Sequence, residues 1–189
     1  MRKLIQFGAM IAAGTGMLAA QWLNLPVERA EFRAEPLTVL KLESIGNAEK
    51  EIRQYQLDER AARAVLVPYG ERCAALSFIA ASNARRHNLP PRLVAGTIVA
   101  ESSCNPSAVS KAGATGLMQV MPSVWRQYSR AELMNPEKNI AAGTEILGHY
   151  CGHAGSYRGG LRLYFGATAG SDEANIYADK VLAIAGRKN

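Results

Sequence analysis

A mainly α-helical domain is what this sequence predicts, on three observations. From Glu71 onward, apolar residues recur at three- and four-residue spacing; Asn, Pro and Gly interrupt those runs at helix-length intervals; and no segment alternates apolar and polar residues as a strand would. Length and composition agree with one folded unit. At 189 residues, 48% hydrophobic and 20% charged, the chain has enough material for one core plus an appendage, and wholesale disorder is excluded.

The elements follow in order. Arg2 and Lys3 precede an uncharged stretch from Leu4 to Val27 whose apolar centre has the length of a signal-peptide core, with Ala19-Ala20 as a small-residue cleavage site. Residues 1–25 are therefore expected to be a signal peptide or an uncleaved N-terminal membrane anchor, and the protein to be exported, hence periplasmic or tethered to the inner membrane. Residues 26–70 read as a linker containing one amphipathic helix, from Asn47 to Val65, with Ile52, Tyr55, Leu57, Ala61 and Ala64 on its apolar positions. Pro68-Tyr69-Gly70 marks a boundary, and residues 71–189 form the domain.

Within the domain, Arg72 to Arg86 reads as a helix stopped by Asn88 and Pro90. Pro91 suits the first turn of the next, in which Leu93, Val94, Thr97, Ile98 and Glu101 share one side, and Asn105-Pro106 ends it because the residue before proline is pushed out of the α region. After a loop with Gly113 and Gly116, a helix is expected from Pro122 through Val124, Trp125 and Tyr128. Asn135-Pro136-Glu137 opens another that reaches about Cys151, Tyr157 to Phe165 is shorter, and Ser171-Asp172-Glu173 caps the last, which stops at Gly186.

The formal charge of +6 suits an anionic polymer, but no Lys/Arg run is interleaved with aromatics, so nucleic acid is not an expected partner. Three cysteines, Cys73, Cys104 and Cys151, permit at most one intrachain bridge and leave one thiol. His149, Cys151 and His153 lie close together, yet Gly152 and Gly155 interrupt them and no four-ligand zinc spacing appears, so no metal site is expected.

Glu101 is the candidate acid. It falls in the last turn of an otherwise apolar helix, where the negative end of the helix dipole and low polarity both disfavour a carboxylate and so raise its pKa. A Glu moved from about 4.3 to about 6 is the form that donates a proton near neutral pH. On spacing alone, a helix-end glutamate that simply reaches solvent is the commoner arrangement. No Asp or Glu occurs from Ser102 to Ala131, so the partner carboxylate that ordinary glycosidases set about 5 to 9.5 Å away has no obvious candidate beside it. Glu132, Glu137 and Glu145 come later, and sequence distance alone does not remove them.

The segment from Glu101-Ser102 through Asn105-Pro106, Ala108-Val109-Ser110, the turn with Gly113, Gly116-Leu117-Met118-Gln119 and Met121-Pro122 resembles the signature of the soluble lytic transglycosylase family. Asn135 to Gly143 resembles the family's second motif, and Tyr164 and Tyr177 fall where its C-terminal helices carry tyrosines. The resemblance spans roughly residues 71 to 186.

It implies a lysozyme-like helical fold with a glycan-binding cleft, peptidoglycan glycan strands as substrate, and Glu101 as a single catalytic acid/base needing no metal or cofactor. By the same matching Ser110, Gln119 and Met121 line the cleft, with Asn139, Tyr164 and Tyr177 near the sugar. The implied reaction cleaves the β-1,4 bond between N-acetylmuramic acid and N-acetylglucosamine and leaves a 1,6-anhydromuramoyl end. If that fold holds, Cys104 and Cys151 are the candidates for a disulfide, with Cys73 the free thiol; a Cys73 bridge to either, or no bridge at all, are the alternatives.

The chain departs from the family at Tyr164-Phe165-Gly166-Ala167, where Tyr-Asn-Ala-Gly is usual, and this puts subsite specificity in doubt. Two other readings stay open: a goose-type lysozyme that hydrolyses the same bond with water, and a non-catalytic wall-binding or assembly module. The sequence is compatible with general wall turnover and with service to an envelope-spanning secretion, conjugation or phage apparatus, and small size, export and an undecorated domain favour the dedicated role.

Overall fold

A computed structural model of the chain describes residues 36–166 and 171–186, with side chains from residue 43 onward. The expected leader at 1–25 lies outside the described residues. Two units are separated, residues 1–42 and 43–189, and all the packing below belongs to the second. Eight α-helices are described: α1 (Pro36–Leu66), α2 (Glu71–Ala74), α3 (Ser77–Arg86), α4 (Pro91–Ser102), α5 (Arg130–Leu133), α6 (Pro136–Ala154), α7 (Tyr157–Tyr164) and α8 (Asp172–Gly186). The fold is mainly α, as expected; the extended pairing among the described residues amounts to two isolated bridges, Val109 to Thr115 and Thr115 to Val120. No described helix is long and apolar enough to cross a membrane.

Helix α1 is longer than the stretch from Asn47 to Val65. Ile45, Ile52 and Leu57 are exposed, whereas Ala62, Val65 and Leu66 are buried in the core. The packed domain therefore takes in the end of α1, ahead of the boundary expected at 71. An Asp58–Arg85 ion pair at 3.4 Å, a Ser77 hydroxyl donating to Glu59 at 3.3 Å, and the Arg85 guanidinium 4.5 Å above the Tyr55 ring fasten that end to α3.

The helix expected over Arg72 to Arg86 is two pieces, because at Ala75-Leu76 the chain tightens to an i→i+3 bond from Leu76 N–H to Cys73 C=O before α3 begins. Helix α4 is the central rod, buried from Leu93 to Val99. It lies close against α8 at Gly96, where a Cβ would come within 3.1 Å of the Val181 carbonyl and 3.3 Å of Ala185 Cβ. Asn135 caps α6 by accepting from Lys138 N–H, in agreement with the sequence signal, and Ser156 caps α7 by accepting from Gly159 N–H. Arg158 then clamps α7 to α8, with Nε and a terminal nitrogen on the Asp179 carboxylate at 2.9 and 3.0 Å and the other on Asn175 at 3.1 Å.

Two expectations are corrected. No helix runs through Val124 to Tyr128: a single turn closes there, with Val124 and Trp125 N–H both donating to Met121 C=O at 3.1 and 2.8 Å. Val124 is exposed and Trp125 only half-buried, so the segment lacks the continuous buried face that sustains a helix. The next helix is α5, opened by a capping box in which Ser129 accepts from Glu132 N–H and Glu132 accepts from Ser129 N–H.

The disulfide is Cys73–Cys104, with Cα atoms 5.4 Å apart, and not Cys104–Cys151. Cys151 lies on the face of α6 that packs on α7, so close to Gly160 that the latter has no room for a side chain. Its thiol is free and buried. The bridge joins α2 to the end of α4, and the chain-entropy argument puts its contribution at roughly 3–4 kcal/mol for a loop of 31 residues.

Candidate active site

The end of α4 carries the site, and its local geometry is unusual. Ser103 and Cys104 follow the helix with φ of +50° and +63°, in the left-handed region that L side chains adopt at a cost of about 1–3 kcal/mol each. Three contacts hold them there. Ser103 N–H donates to Val99 C=O at 3.0 Å, the Cys104 side chain is buried in its disulfide, and the Ser102 hydroxyl reaches Leu117 C=O at 2.8 Å. The chain consequently doubles back after Ser102, and the last turn of α4 keeps a fixed position against the Gly116-Leu117-Met118-Gln119 segment.

Glu101 sits in that last turn. Tyr177, from α8, donates its hydroxyl to Glu101 Oε1 at 2.5 Å. Burial pushes the Glu101 carboxyl pKa up; the Tyr177 hydrogen bond and the charge of Lys180 pull it part of the way back. Lys180 is itself anchored, its Nζ donating to Ala100 C=O at 3.1 Å. Neither group acting on Glu101 is a carboxylate. The Tyr177 hydroxyl is held well above its ordinary range by burial and by the facing Glu101 charge, so it stays a donor.

The segment after α4 forms a small folded tongue. Ser110 is exposed at its tip, where its hydroxyl accepts from Ala114 N–H at 3.0 Å. Gln119 has a positive φ of +49°, and its amide Nε2 donates to Gly116 C=O at 2.9 Å and Ala108 C=O at 3.2 Å, closing the tongue. Gly116 has φ +80°, and a Cβ there would collide with the Asn139 amide and the Leu133 carbonyl.

Asn139 is not a surface residue of the cleft, contrary to the expectation that it stands near the sugar. It is fully buried, accepts from Met118 N–H at 2.7 Å, and donates to Thr115 C=O and Leu133 C=O, both at 2.8 Å. Its Oδ1 and both Nδ2 hydrogens are spent on three backbone segments, and Thr115 C=O shares this bond with the one it accepts from Val120 N–H. It positions the tongue.

A cleft of about 280 Å³ opens beside this frame, lined by Gln119, Val120, Met121, Val124, Trp125, Ile146, Tyr150, Leu163, Tyr164 and Gly166. Tyr164 connects it to the acid. Its hydroxyl donates to Met118 C=O at 2.7 Å, and the Glu101 charge, after burial, helps to hold its phenol well above the ordinary range. Gly143 on α6 leaves the room for this contact, since a Cβ there would come within 2.5 Å of Met118 Cβ and 3.0 Å of the Tyr164 hydroxyl.

Of the six residues expected at the glycan, Gln119, Met121 and Tyr164 are thus brought together on one cleft and Tyr177 is placed on the acid, while Ser110 serves a turn and Asn139 is internal. Sequence reasoning passed over Ser102, Trp125 and Lys180. The spacing of Ser102 directly after the acid and of Lys180 three residues after Tyr177 was visible, but nothing in it indicates which backbone carbonyl each reaches.

A family profile described as the transglycosylase SLT domain matches residues 78–169. A transglycosylase of Enterobacteria phage PRD1 is 39% identical over 83 residues, covering 44% of this chain and 31% of its own length. An endo-type membrane-bound lytic murein transglycosylase A of Klebsiella pneumoniae subsp. pneumoniae is 44% identical over 68 residues, 30% of this chain and 34% of its own. A membrane-bound lytic murein transglycosylase C of Pectobacterium atrosepticum is 41% identical over 73 residues, 33% and 20% respectively. The chain spans about a third or less of the length of these relatives.

Proposed function

Because the chain carries a transglycosylase SLT domain over residues 78–169, we propose that it is a peptidoglycan lytic transglycosylase, a carbon–oxygen lyase acting on the β-1,4 bond between N-acetylmuramic acid and N-acetylglucosamine. The observation that carries the reading is one carboxyl group, Glu101, its pKa raised by burial, fixed by a tyrosine and unaccompanied by a second carboxylate among the groups that act on it.

Such a group serves as acid and then base. Glu101 gives its proton to the glycosidic oxygen as the bond from the muramoyl C1 breaks. The carboxylate so formed takes the proton from the same sugar's C6 hydroxyl while that oxygen bonds to C1, closing a 1,6-anhydro ring. The proton returns to Glu101 and no water is consumed. Tyr177 steadies the carboxylate between the two steps, and Gln119, Met121 and Tyr164 are assigned to the glycan through their place on the cleft. Ser110, on the exposed tip of the tongue, is assigned to a strand lying across it.

Mass analysis of muropeptides released from purified peptidoglycan tests this directly: anhydro ends, lighter by one water than reducing ends, are expected, and reducing muramic ends as the main product would make the protein a lysozyme-type hydrolase. Export to the periplasm, with or without a membrane anchor, completes the proposal, supported by the leader-like residues 1–25 and by relatives named membrane-bound. We assign the cut to passage through the wall at an envelope-spanning secretion or conjugation apparatus, on the support of the leader-like residues 1–25, which would deliver the domain to the envelope. Loss of that passage with bulk wall turnover intact, on deleting the gene, is the outcome expected.

A further inference from the structure

We propose that Phe165 is a specificity-determining residue of this site, an aromatic platform that takes the apolar face of an N-acetylhexosamine ring next to the acid. The proposal rests on the glycan-cleaving reading above and adds a residue to it.

Phe165 ends α7, with its N–H donating to Leu161 C=O at 3.0 Å. The next residue, Gly166, turns the chain with φ +78° and lines the cleft together with Leu163 and Tyr164, so Phe165 stands at the cleft's rim. One face of its ring is occupied: it stacks on Tyr177 with centroids 5.1 Å apart and planes 30° from parallel, and Tyr177 is the residue bonded to Glu101. The side chain is nonetheless 45% exposed. A single exposed phenylalanine is ordinary; one stacked on the acid's own hydrogen-bond partner, at the mouth of a cleft with Trp125, Tyr150 and Tyr164 in its wall, is a surface in the right place.

Helix packing does not demand the ring. The clamp from Arg158 to Asp179 and Asn175 already fastens α7 to α8, so the exposed half of Phe165 is free to meet a ligand. The chemistry of that half is selective. A pyranose presents C–H groups on one face and an acetamido methyl at its edge, and both pack on an aromatic surface; Phe165 offers no hydrogen bond in exchange. Recognition at this position is therefore by shape and apolar contact.

The experiment uses the full chain, with glycan-strand cleavage kinetics for Phe165→Ala and Phe165→Tyr, and binding of a β-1,4-linked N-acetylglucosamine tetramer to Glu101→Gln with and without Phe165→Ala. The expected result is a KM raised about five-fold or more by Phe165→Ala with kcat falling less than about two-fold, an unshifted pH–rate profile, recovery in Phe165→Tyr, and a matching loss of tetramer affinity. A fall in kcat with a displaced acid limb and unchanged KM overturns the proposal and makes Phe165 a prop for Tyr177. Unchanged kinetics and binding overturn it as well. If the unsubstituted protein does not cleave glycan, the lyase reading fails, while weaker tetramer binding on losing Phe165 still upholds the platform; absence of tetramer binding by Glu101→Gln itself overturns the platform.

Discussion

Of the glutamates at helix ends among the described residues, two are held in opposite states. Glu101, in the last turn of α4, is buried, and desolvation raises its pKa against the pull of Tyr177 and Lys180. Glu132, in the first turn of α5, is at the surface. Lys138 Nζ at 2.7 Å, the Ser129 N–H at 3.0 Å and the Ser129 hydroxyl at 2.9 Å bring its pKa down to about 2. The residue type is the same and each sits beside a lysine. The difference lies in what surrounds the oxygens: apolar packing against a phenol in one case, water and backbone donors in the other. A proton donor is made by its site, and only the first site has that character.

The sharpest way to break this contrast is Glu101→Gln, which keeps shape and loses proton transfer. Wall cleavage in a zymogram is expected to fall by about 10²–10⁴-fold with the circular dichroism spectrum unchanged; activity within a few-fold of the parent would dissolve the distinction between the two glutamates. Asn139→Ala comes next. It strips the Asn139 bond from Met118 N–H and Leu133 C=O and leaves Thr115 C=O with its Val120 N–H alone, for an expected loss of about 2–3 kcal/mol, read as a melting temperature lowered by roughly 5–10 °C. A raised KM with an unmoved melting temperature would instead return Asn139 to the sugar.

A smaller effect concerns stability and pH. Folded Glu101 keeps its proton over a range where the unfolded chain, with a carboxyl pKa of about 4.3, has lost it, so the native state binds more protons and stability falls as pH rises through that range. Glu101→Gln escapes this penalty and should melt higher than the parent at pH 7, with the gap closing below about pH 4. Glu132 runs the other way. Its stabilisation is present above the unfolded pKa and is lost as pH falls through about 2, so Glu132→Gln should lower the melting temperature slightly at pH 7 and not at all at the acid extreme. Melting curves of both variants across pH, crossing in opposite senses, are the expected pattern.

Much of the frame was legible because its signals are local. Asn135 and Ser171 each accept a bond from a backbone N–H three residues on, and the helices start there. Glu101 was legible too, once its apolar helix and the motif after it were read together. What failed was longer in range or weaker in signal. Val124, Trp125 and Tyr128 have helical spacing, yet they follow a proline turn and bury too little to propagate one. The Ser129-x-x-Glu132 box was in plain sight and opens a helix of a single turn. The partner of Cys104 depended on which way α6 turns its Cys151 face, and Asn139 on how the tongue folds over it. Neither is written in spacing.

The disulfide has a consequence for how the chain is assembled. Cys73 and Cys104 are consecutive cysteines, and Cys151 lies further along. In a chain threaded across a membrane from its N-terminus, the native pair emerges into the oxidising side before the third thiol can compete, so vectorial delivery favours the correct bond kinetically. Afterwards the folded protein protects the leftover thiol: burial raises its pKa to about 11, leaving little thiolate to attack the bridge. Cys151→Ser should therefore change neither the yield of oxidised protein nor its bond, and a thiol reagent should label the native chain only after it is unfolded. If the chain is exported as proposed, its odd number of cysteines is sorted by the order in which they emerge.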